Sequence, residues 1–121
     1  MPAIVIVGAQ WGDEGKGKIV DLLAEEADLV CRYNGGPNAG HTIVVDGETY
    51  KVRHIPSGIF RGKDAVIGAG CVVDPEVLVE ELDELAARGI QVERLHLSTN
   101  AHLIMPWHVA IDGASERRLG N

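Results

Sequence analysis

The chain has 121 residues, a length that suits one domain. Hydrophobic residues make up 45% of them, which is enough to bury a core and argues against disorder. The net charge of −7, from 18 acidic and 11 basic residues, argues against a nucleic-acid surface, and no apolar run reaches membrane-spanning length.

The N-terminal third predicts a strand, a helix and a second strand. Residues 3–7 are a short apolar, β-branched run that ends at Gly8, a pattern typical of a strand buried on both faces of a parallel sheet. A glycine-rich stretch follows, and apolar residues at helical spacing over residues 19–27 then predict a helix. Residues 29–33 predict the second strand.

A hairpin is predicted next, because residues 42–45 and 49–55 flank Asp46-Gly47, a strong signal for a two-residue turn. Residues 65–67 and 95–97 are further short strand candidates, and residues 109–118 favour a helix. The order of elements predicts an α/β fold, with a mostly parallel sheet flanked by helices and an inserted hairpin.

One more helix has clear boundaries. Asp74 is suited to cap it and Pro75 to occupy its first position, and Gly89 ends it after Arg88 in the last turn. Its apolar face is formed by Leu78, Leu82 and Leu85. Its acidic residues are interpreted as a solvated face: Glu80, Glu81, Asp83 and Glu84.

The first glycine-rich stretch predicts a phosphate-binding loop between a strand and a helix. Glycines allow backbone N–H groups to approach an anion, the helix N-terminus adds partial positive charge, and Lys16 and Lys18 add full charges. Residues 12–18 nearly match the P-loop spacing, but Ile19 replaces the Ser or Thr that would bind Mg²⁺. Asp13 is then the candidate magnesium ligand. The alternative is a glycine-rich turn with exposed charges.

The second loop, residues 34–42, is expected at the same carboxyl edge of the sheet, where open α/β sheets bind ligands. Asn38 offers an amide that can bind a base or phosphate, and Gly40 allows a close backbone approach with its carbonyl toward a metal. His41 can donate to a phosphate or transfer a proton, although a loop histidine can equally be a surface residue.

The two loops together resemble the adenylosuccinate synthetase family, whose signature matches Gln10-Trp11-Gly12-Asp13-Glu14-Gly15-Lys16-Gly17-Lys18 and Asn38-Ala39-Gly40-His41-Thr42. The resemblance continues through residues 55–58 and 68–74. It implies a P-loop-NTPase-like fold and the GTP-dependent ligation of IMP and L-aspartate to adenylosuccinate, through a 6-phosphoryl-IMP intermediate. Because members are several times longer, we expect residues 1–121 to be the N-terminal portion of one larger GTP- and IMP-binding domain, incomplete as it stands and inactive alone.

The resemblance also implies roles for individual residues. Asp13 would take the N1 proton of IMP, His41 would act as the acid on the phosphate side, and Lys16 would stabilise the transferring group. Mg²⁺ would bind Asp13 and the Gly40 carbonyl. GTP contacts would come from Gly12, Asp13, Glu14, Gly15, Lys16, Gly17, Lys18, Gly40, His41 and Thr42. IMP contacts would come from Asp13, Glu14, Gly15, Lys16, Asn38, Ala39, Gly40 and His41.

The family further implies a cytoplasmic homodimer that binds neither nucleic acid nor membrane. Two other interpretations stay open, a non-catalytic nucleotide-binding fragment and a different P-loop GTPase or kinase. The remaining histidines, His54, His96, His102 and His108, lack metal-ligand spacing and are expected to be structural or surface residues.

Overall fold

The computed structural model describes residues 2–10 and 15–120. Its three helices are α1 (Lys16–Ala24), α2 (Pro75–Ala87) and α3 (Pro106–Leu119). Its strands are β1 (Leu29–Gly35), β2 (His41–Val45), β3 (Glu48–Val52), β4 (Asp64–Val73), β5 (Leu95–Leu97) and β6 (His102–Leu103), and 3-10 turns cover Ser57–Arg61 and Val92–Arg94. In the described ranges, none of the helices is long and apolar enough to cross a membrane.

The main sheet is parallel, as predicted. The long strand β4 lies at its centre, with β1 along one edge, and pairs with β5 and β6 at successive positions along its length. A register shift in the β1–β4 ladder falls between Arg32 and Asn34. Since strands β1 and β4 run in the same direction, their carboxyl ends meet at one edge, where Gly35 is opposite Cys71.

The predicted hairpin is confirmed as a separate two-stranded sheet, β2 with β3. Asp46 and Gly47 both have positive φ, which fits a turn matched to the twist of the strands. The inner face of the hairpin buries Ile43 and Tyr50, and the Tyr50 ring lies 4.9 Å from that of Phe60. The hairpin therefore packs on the same core as β4 and α2.

Helix α2 begins and ends where the sequence predicts. The Asp74 carboxylate accepts hydrogen bonds from the N–H groups of Glu76 and Val77, and Gly89 follows the helix with a φ of 83°. Leu78 and Leu85 are buried. The interpretation of Glu81 as part of a solvated face was wrong, because this side chain is only 8% exposed. It lies three residues after Leu78 and four before Leu85, on the buried face of the helix.

The predicted strand at residues 3–7 is not formed. This segment makes no ladder, and its side chains at Ile4, Val5 and Val7 are exposed. It approaches β1 at one point, where the Tyr33 hydroxyl donates to the Ile6 carbonyl at 3.4 Å. A strand buried on both faces needs partners on the sheet and covering layers on each side, and the described residues provide neither.

Candidate functional site

Helix α1 brings the described part of the first loop to the protein surface. Gly15, at its N-cap, has a φ of 87°, a conformation that glycine adopts without strain. Lys16, Gly17 and Lys18 form the first helical turn and are exposed. Gly12, Asp13 and Glu14 lie outside the described residues.

The charge distribution of this turn favours an anion. The turn contains two lysines and no acidic residue, and positive charge at a helix N-terminus opposes the helix dipole. An anion in front of the turn would offset both the lysine charges and the dipole, as phosphate does at many helix N-termini.

An arginine outside the loop fixes α1 on the domain. The Arg61 guanidinium lies 3.0 Å from the Asp21 carboxylate and 3.1 Å from that of Glu25, one helical turn further along. The hydrogen bond that the guanidinium donates to Asp21 raises the pKa of Arg61 above its ordinary value. Arg61 ends the 3-10 turn that packs against α1, so the C-terminal half of this helix is held on the domain.

The second loop leaves the sheet at the end of β1 and leads into β2. Asn38, Ala39 and Gly40 are exposed in this loop, and His41 and Thr42 are the first two residues of the hairpin. The loop lies at the carboxyl ends of β1 and β4, but the predicted edge shared with the first loop is not formed, because residues 3–7 make no ladder.

The two loops meet at His41. A Cβ atom placed on Gly17 would lie 3.5 Å from Nδ1 of the His41 imidazole. The structure thus brings His41 against the first turn of α1, beside Lys16 and Lys18. The sequence predicted that the two loops lie together because two strands end at one edge of the sheet. In the structure, the packing of α1 next to β2 brings His41 to Gly17 instead.

Two functional candidates were missed from the sequence. The Arg32 guanidinium donates to the carbonyls of Asn34 at 3.3 Å, of Gly36 at 2.7 Å and of Arg53. Glu81 accepts from three consecutive backbone N–H groups, those of Arg53, His54 and Ile55. Glu81 could have been identified from its helical spacing, which places it on the same face as Leu78 and Leu85. Arg32 could have been identified as a single charged residue inside the apolar strand β1.

The other histidines do not form a metal centre. His54 is 1% exposed, and its Nε2 accepts a hydrogen bond from the Asp74 N–H at 3.1 Å, which agrees with a structural role. His96 and His102 are exposed, and Nδ1 of His108 accepts from the Met105 N–H at the start of α3. Over residues 2–10 and 15–120, no three His, Cys, Asp or Glu side chains are grouped to hold a metal ion.

Comparisons with known proteins agree on one family. The family model for adenylosuccinate synthetase matches residues 5–121. The adenylosuccinate synthetases of Moorella thermoacetica and Frankia alni are 59% and 60% identical over 121 residues, which is 99% of this chain and 28% of each relative. A structure of fully ligated adenylosuccinate synthetase from Plasmodium falciparum superposes with a TM-score of 0.79 at 43% identity, over 92% of this chain and 26% of that one.

The chain thus spans just over a quarter of the length of the relatives it matches. The match covers both loops, the hairpin and the parallel strands, and it rests on sequence and on fold alike. The chain belongs to the adenylosuccinate synthetase family.

Proposed function

We propose that the full-length protein, meaning residues 1–121 with whatever follows Asn121, ligates IMP and L-aspartate to adenylosuccinate at the expense of GTP. The observation that carries this proposal is the contact of His41 with Gly17, because it joins the two loops of the family signature around one exposed helix N-terminus. A lysine-bearing helix start beside an imidazole suits phosphoryl transfer, which depends mainly on alignment and charge neutralisation.

The proposed reaction has two steps. Asp13 takes the N1 proton of IMP, and O6 of IMP then attacks the γ-phosphorus of GTP as the bond to the β-phosphate oxygen breaks. The amine of aspartate next attacks C6, and phosphate leaves with O6. Lys16 stabilises the charge of the transferring group, and His41 donates toward the phosphate side.

Contacts to the two nucleotides are proposed from the same loops. GTP would be bound by residues 12–18 and 40–42, and IMP by residues 13–16 and 38–41. The described members of both sets, from Gly15 to Lys18 and from Asn38 to Thr42, lie at the surface or are partly exposed, so a ligand can reach them.

The donor set also fits Mg²⁺. Asp13 would offer a carboxylate and Gly40 a backbone carbonyl, both hard oxygen donors, and the Gly40 backbone is exposed next to His41. When bound, the ion would supply charge neutralisation between the phosphates. We further propose that the protein is a cytoplasmic homodimer acting in purine biosynthesis and that it binds neither nucleic acid nor membrane.

An isotope-exchange experiment tests the phosphoryl step. GTP labelled with ¹⁸O in the β–γ bridge is incubated with the full-length protein and IMP, without aspartate. Reversible transfer to O6 moves the label into non-bridging positions of the β-phosphate, because the freed β-phosphate of GDP can rotate. Movement of label only when IMP is present supports the proposal. If a full assay with all three substrates forms no adenylosuccinate, the proposed function is wrong.

Replacement of Asp13 by Ala tests the two roles proposed for this residue. It removes both the proposed base and a magnesium ligand, so we expect the loss of kcat to exceed the roughly 10²–10⁴-fold assigned to one general base. Lys63→Ala, at the residue that precedes β4 and so at the amino end of the parallel pair, is the control. Retention of a tenth of normal kcat by Asp13→Ala would remove Asp13 from the mechanism.

A further inference from the structure

The hairpin β2–β3 carries His41 and Thr42 at its start, so whatever holds the base of the hairpin also sets the position of these residues. The chain enters the hairpin from the loop at residues 36–40 and leaves it at Arg53. Arg32 donates to carbonyls on both sides, to Asn34 and Gly36 before the hairpin and to Arg53 after it. One guanidinium therefore connects the two ends of the hairpin base.

The geometry requires a guanidinium. Arginine presents several N–H donors in a rigid planar fork, whereas lysine presents one flexible ammonium. The three carbonyl acceptors belong to the end of β1, to the loop that follows it and to the residue after β3, and they are reached from a single position on β1. A lysine at position 32 would keep the charge and lose the fork.

Glu81 completes the arrangement from the other side. The carbonyl of Arg53 accepts from Arg32, and the N–H of Arg53 donates to Glu81, along with the N–H groups of His54 and Ile55. The positive and negative side chains thus hold residue 53 by its carbonyl and its N–H. Charge-assisted hydrogen bonds of this kind are stronger than neutral ones. They also explain why β3 ends at Val52, before the predicted end at residue 55, since the next three N–H groups are taken by a side chain.

We propose that Arg32 is a positioning residue for the second loop, with Glu81 as its counterpart on residues 53–55, and that the pair sets the place of Gly40 and His41 relative to the first turn of α1. This inference rests on the proposed function for the identity of the ligands, GTP and IMP. It adds two residues that touch no ligand and act through the backbone.

Arg88, at the end of α2, provides a matched control because it contacts the same hairpin. Its guanidinium donates to the Thr49 carbonyl at 3.1 Å, pairs with Glu48 at 3.0 Å and lies 3.9 Å from the centre of the Tyr50 ring. It therefore stabilises the strand that follows the hairpin turn, near the turn and away from the base. If Arg32 only stabilises the hairpin, Arg32→Lys and Arg88→Lys have the same effect.

The test measures steady-state kinetics and backbone hydrogen exchange on the full-length wild type, Arg32→Lys, Glu81→Gln and Arg88→Lys. A displacement of about 1 Å costs on the order of 100-fold in rate. We expect Arg32→Lys to lower kcat/KM for IMP and GTP by about 10–100-fold, Glu81→Gln to lower it by about tenfold, and Arg88→Lys to stay within about threefold. Exchange should rise at residues 36–41 in Arg32→Lys and near Thr49 in Arg88→Lys.

Equal losses in the two arginine variants, or unchanged exchange at residues 36–41 in Arg32→Lys, would overturn the inference. If Arg32→Lys does not fold, the kinetics and the hydrogen exchange of Glu81→Gln test the inference in its place. Exchange requires no turnover, so a wild type without ligase activity would reject the proposed function while the exchange data still decide the role of Arg32.

Discussion

His41 has the most informative position of any described side chain, because it is the point where the second loop touches the first turn of α1. Its sequence position alone could not separate a proton donor from a surface histidine. The approach to Gly17 places the imidazole next to the predicted phosphate loop, where either role can be tested.

Replacement of His41 by Asn tests whether proton transfer is its task. Asparagine retains a side-chain donor and loses the titratable proton, so we expect kcat to fall by roughly 10²–10⁴-fold while nucleotide affinity changes little. Steady-state rates and equilibrium binding of both nucleotides measure the two effects. Equal turnover in the variant would leave His41 as a positioning group.

His54 predicts a pH dependence of stability. Burial lowers its pKa below the ordinary value, as do the nearby Arg32 and Arg53, while Glu81 and Asp74 act in the opposite direction. Below about pH 6.5 the unfolded chain takes up a proton at this residue before the folded chain does. The free energy of unfolding should therefore fall as the pH drops below about 6.5, level off below the folded pKa and be unaffected by His54 at higher pH.

Chemical denaturation of the full-length protein between about pH 8 and about pH 5 measures this dependence. His54→Gln keeps an acceptor for the Asp74 N–H and cannot titrate, so its stability should fall less steeply with acid than that of the wild type. His102→Gln, at an exposed position, is the control for the loss of a histidine side chain. Parallel profiles for wild type and His54→Gln would contradict the prediction.

Helices and turns with local signals were predictable from the sequence, and contacts between distant segments were not. Helix α2 follows from Asp74, Pro75 and a leucine repeat, all within one segment. The strand at residues 3–7 was predicted from its composition, but a strand exists only with a partner, and partners are a property of the whole sheet. The role of Arg32 depends in the same way on Arg53, which is distant in sequence and follows the second strand of the hairpin.

The close approach of β1 and β4 gives a prediction for their glycines. A Cβ on Gly70 would lie 2.3 Å from the Tyr33 carbonyl oxygen, which belongs to the backbone and cannot move aside without shifting β1. We expect Gly70→Ala to destabilise the protein by about 1–3 kcal/mol, the usual range for overpacking. Denaturant midpoints of the full-length protein measure this loss.

Gly113→Ala is the opposite case. This glycine lies inside α3, and its added Cβ would meet Arg117 at an ordinary contact distance of 3.7 Å. Alanine is favoured over glycine in a helix interior by roughly 0.5–1 kcal/mol, so this variant should be slightly more stable. Unchanged or raised stability in Gly70→Ala would argue against the strand spacing described above.

At the scale of the whole chain, many large apolar side chains of residues 1–121 are exposed to solvent. Large hydrophobic side chains are exposed on the N-terminal segment, on α1 and on α3: Ile4, Val5, Val7, Leu22, Val109 and Ile111. Exposed apolar patches and open strand edges promote association between chains. We expect isolated residues 1–121 to aggregate or to be unstable as a monomer.

We also expect the isolated chain to form no product from GTP, IMP and aspartate, because alignment of three substrates needs more contacts than two loops provide. A coupled assay on purified residues 1–121, run beside the full-length protein, measures this. Turnover by the isolated chain that is not due to a contaminating host enzyme would show that the 121 residues suffice.

The pairing of β1 with β4 also has a consequence for biosynthesis. The hairpin β2–β3 and a 3-10 turn lie between these strands in the chain, so β1 leaves the ribosome well before its partner. The hairpin can close within about 1–10 μs, while translation adds only about 5–20 residues per second. Until residue 73 has emerged, the second loop thus lies between a hairpin that can already close and a strand that still lacks β4.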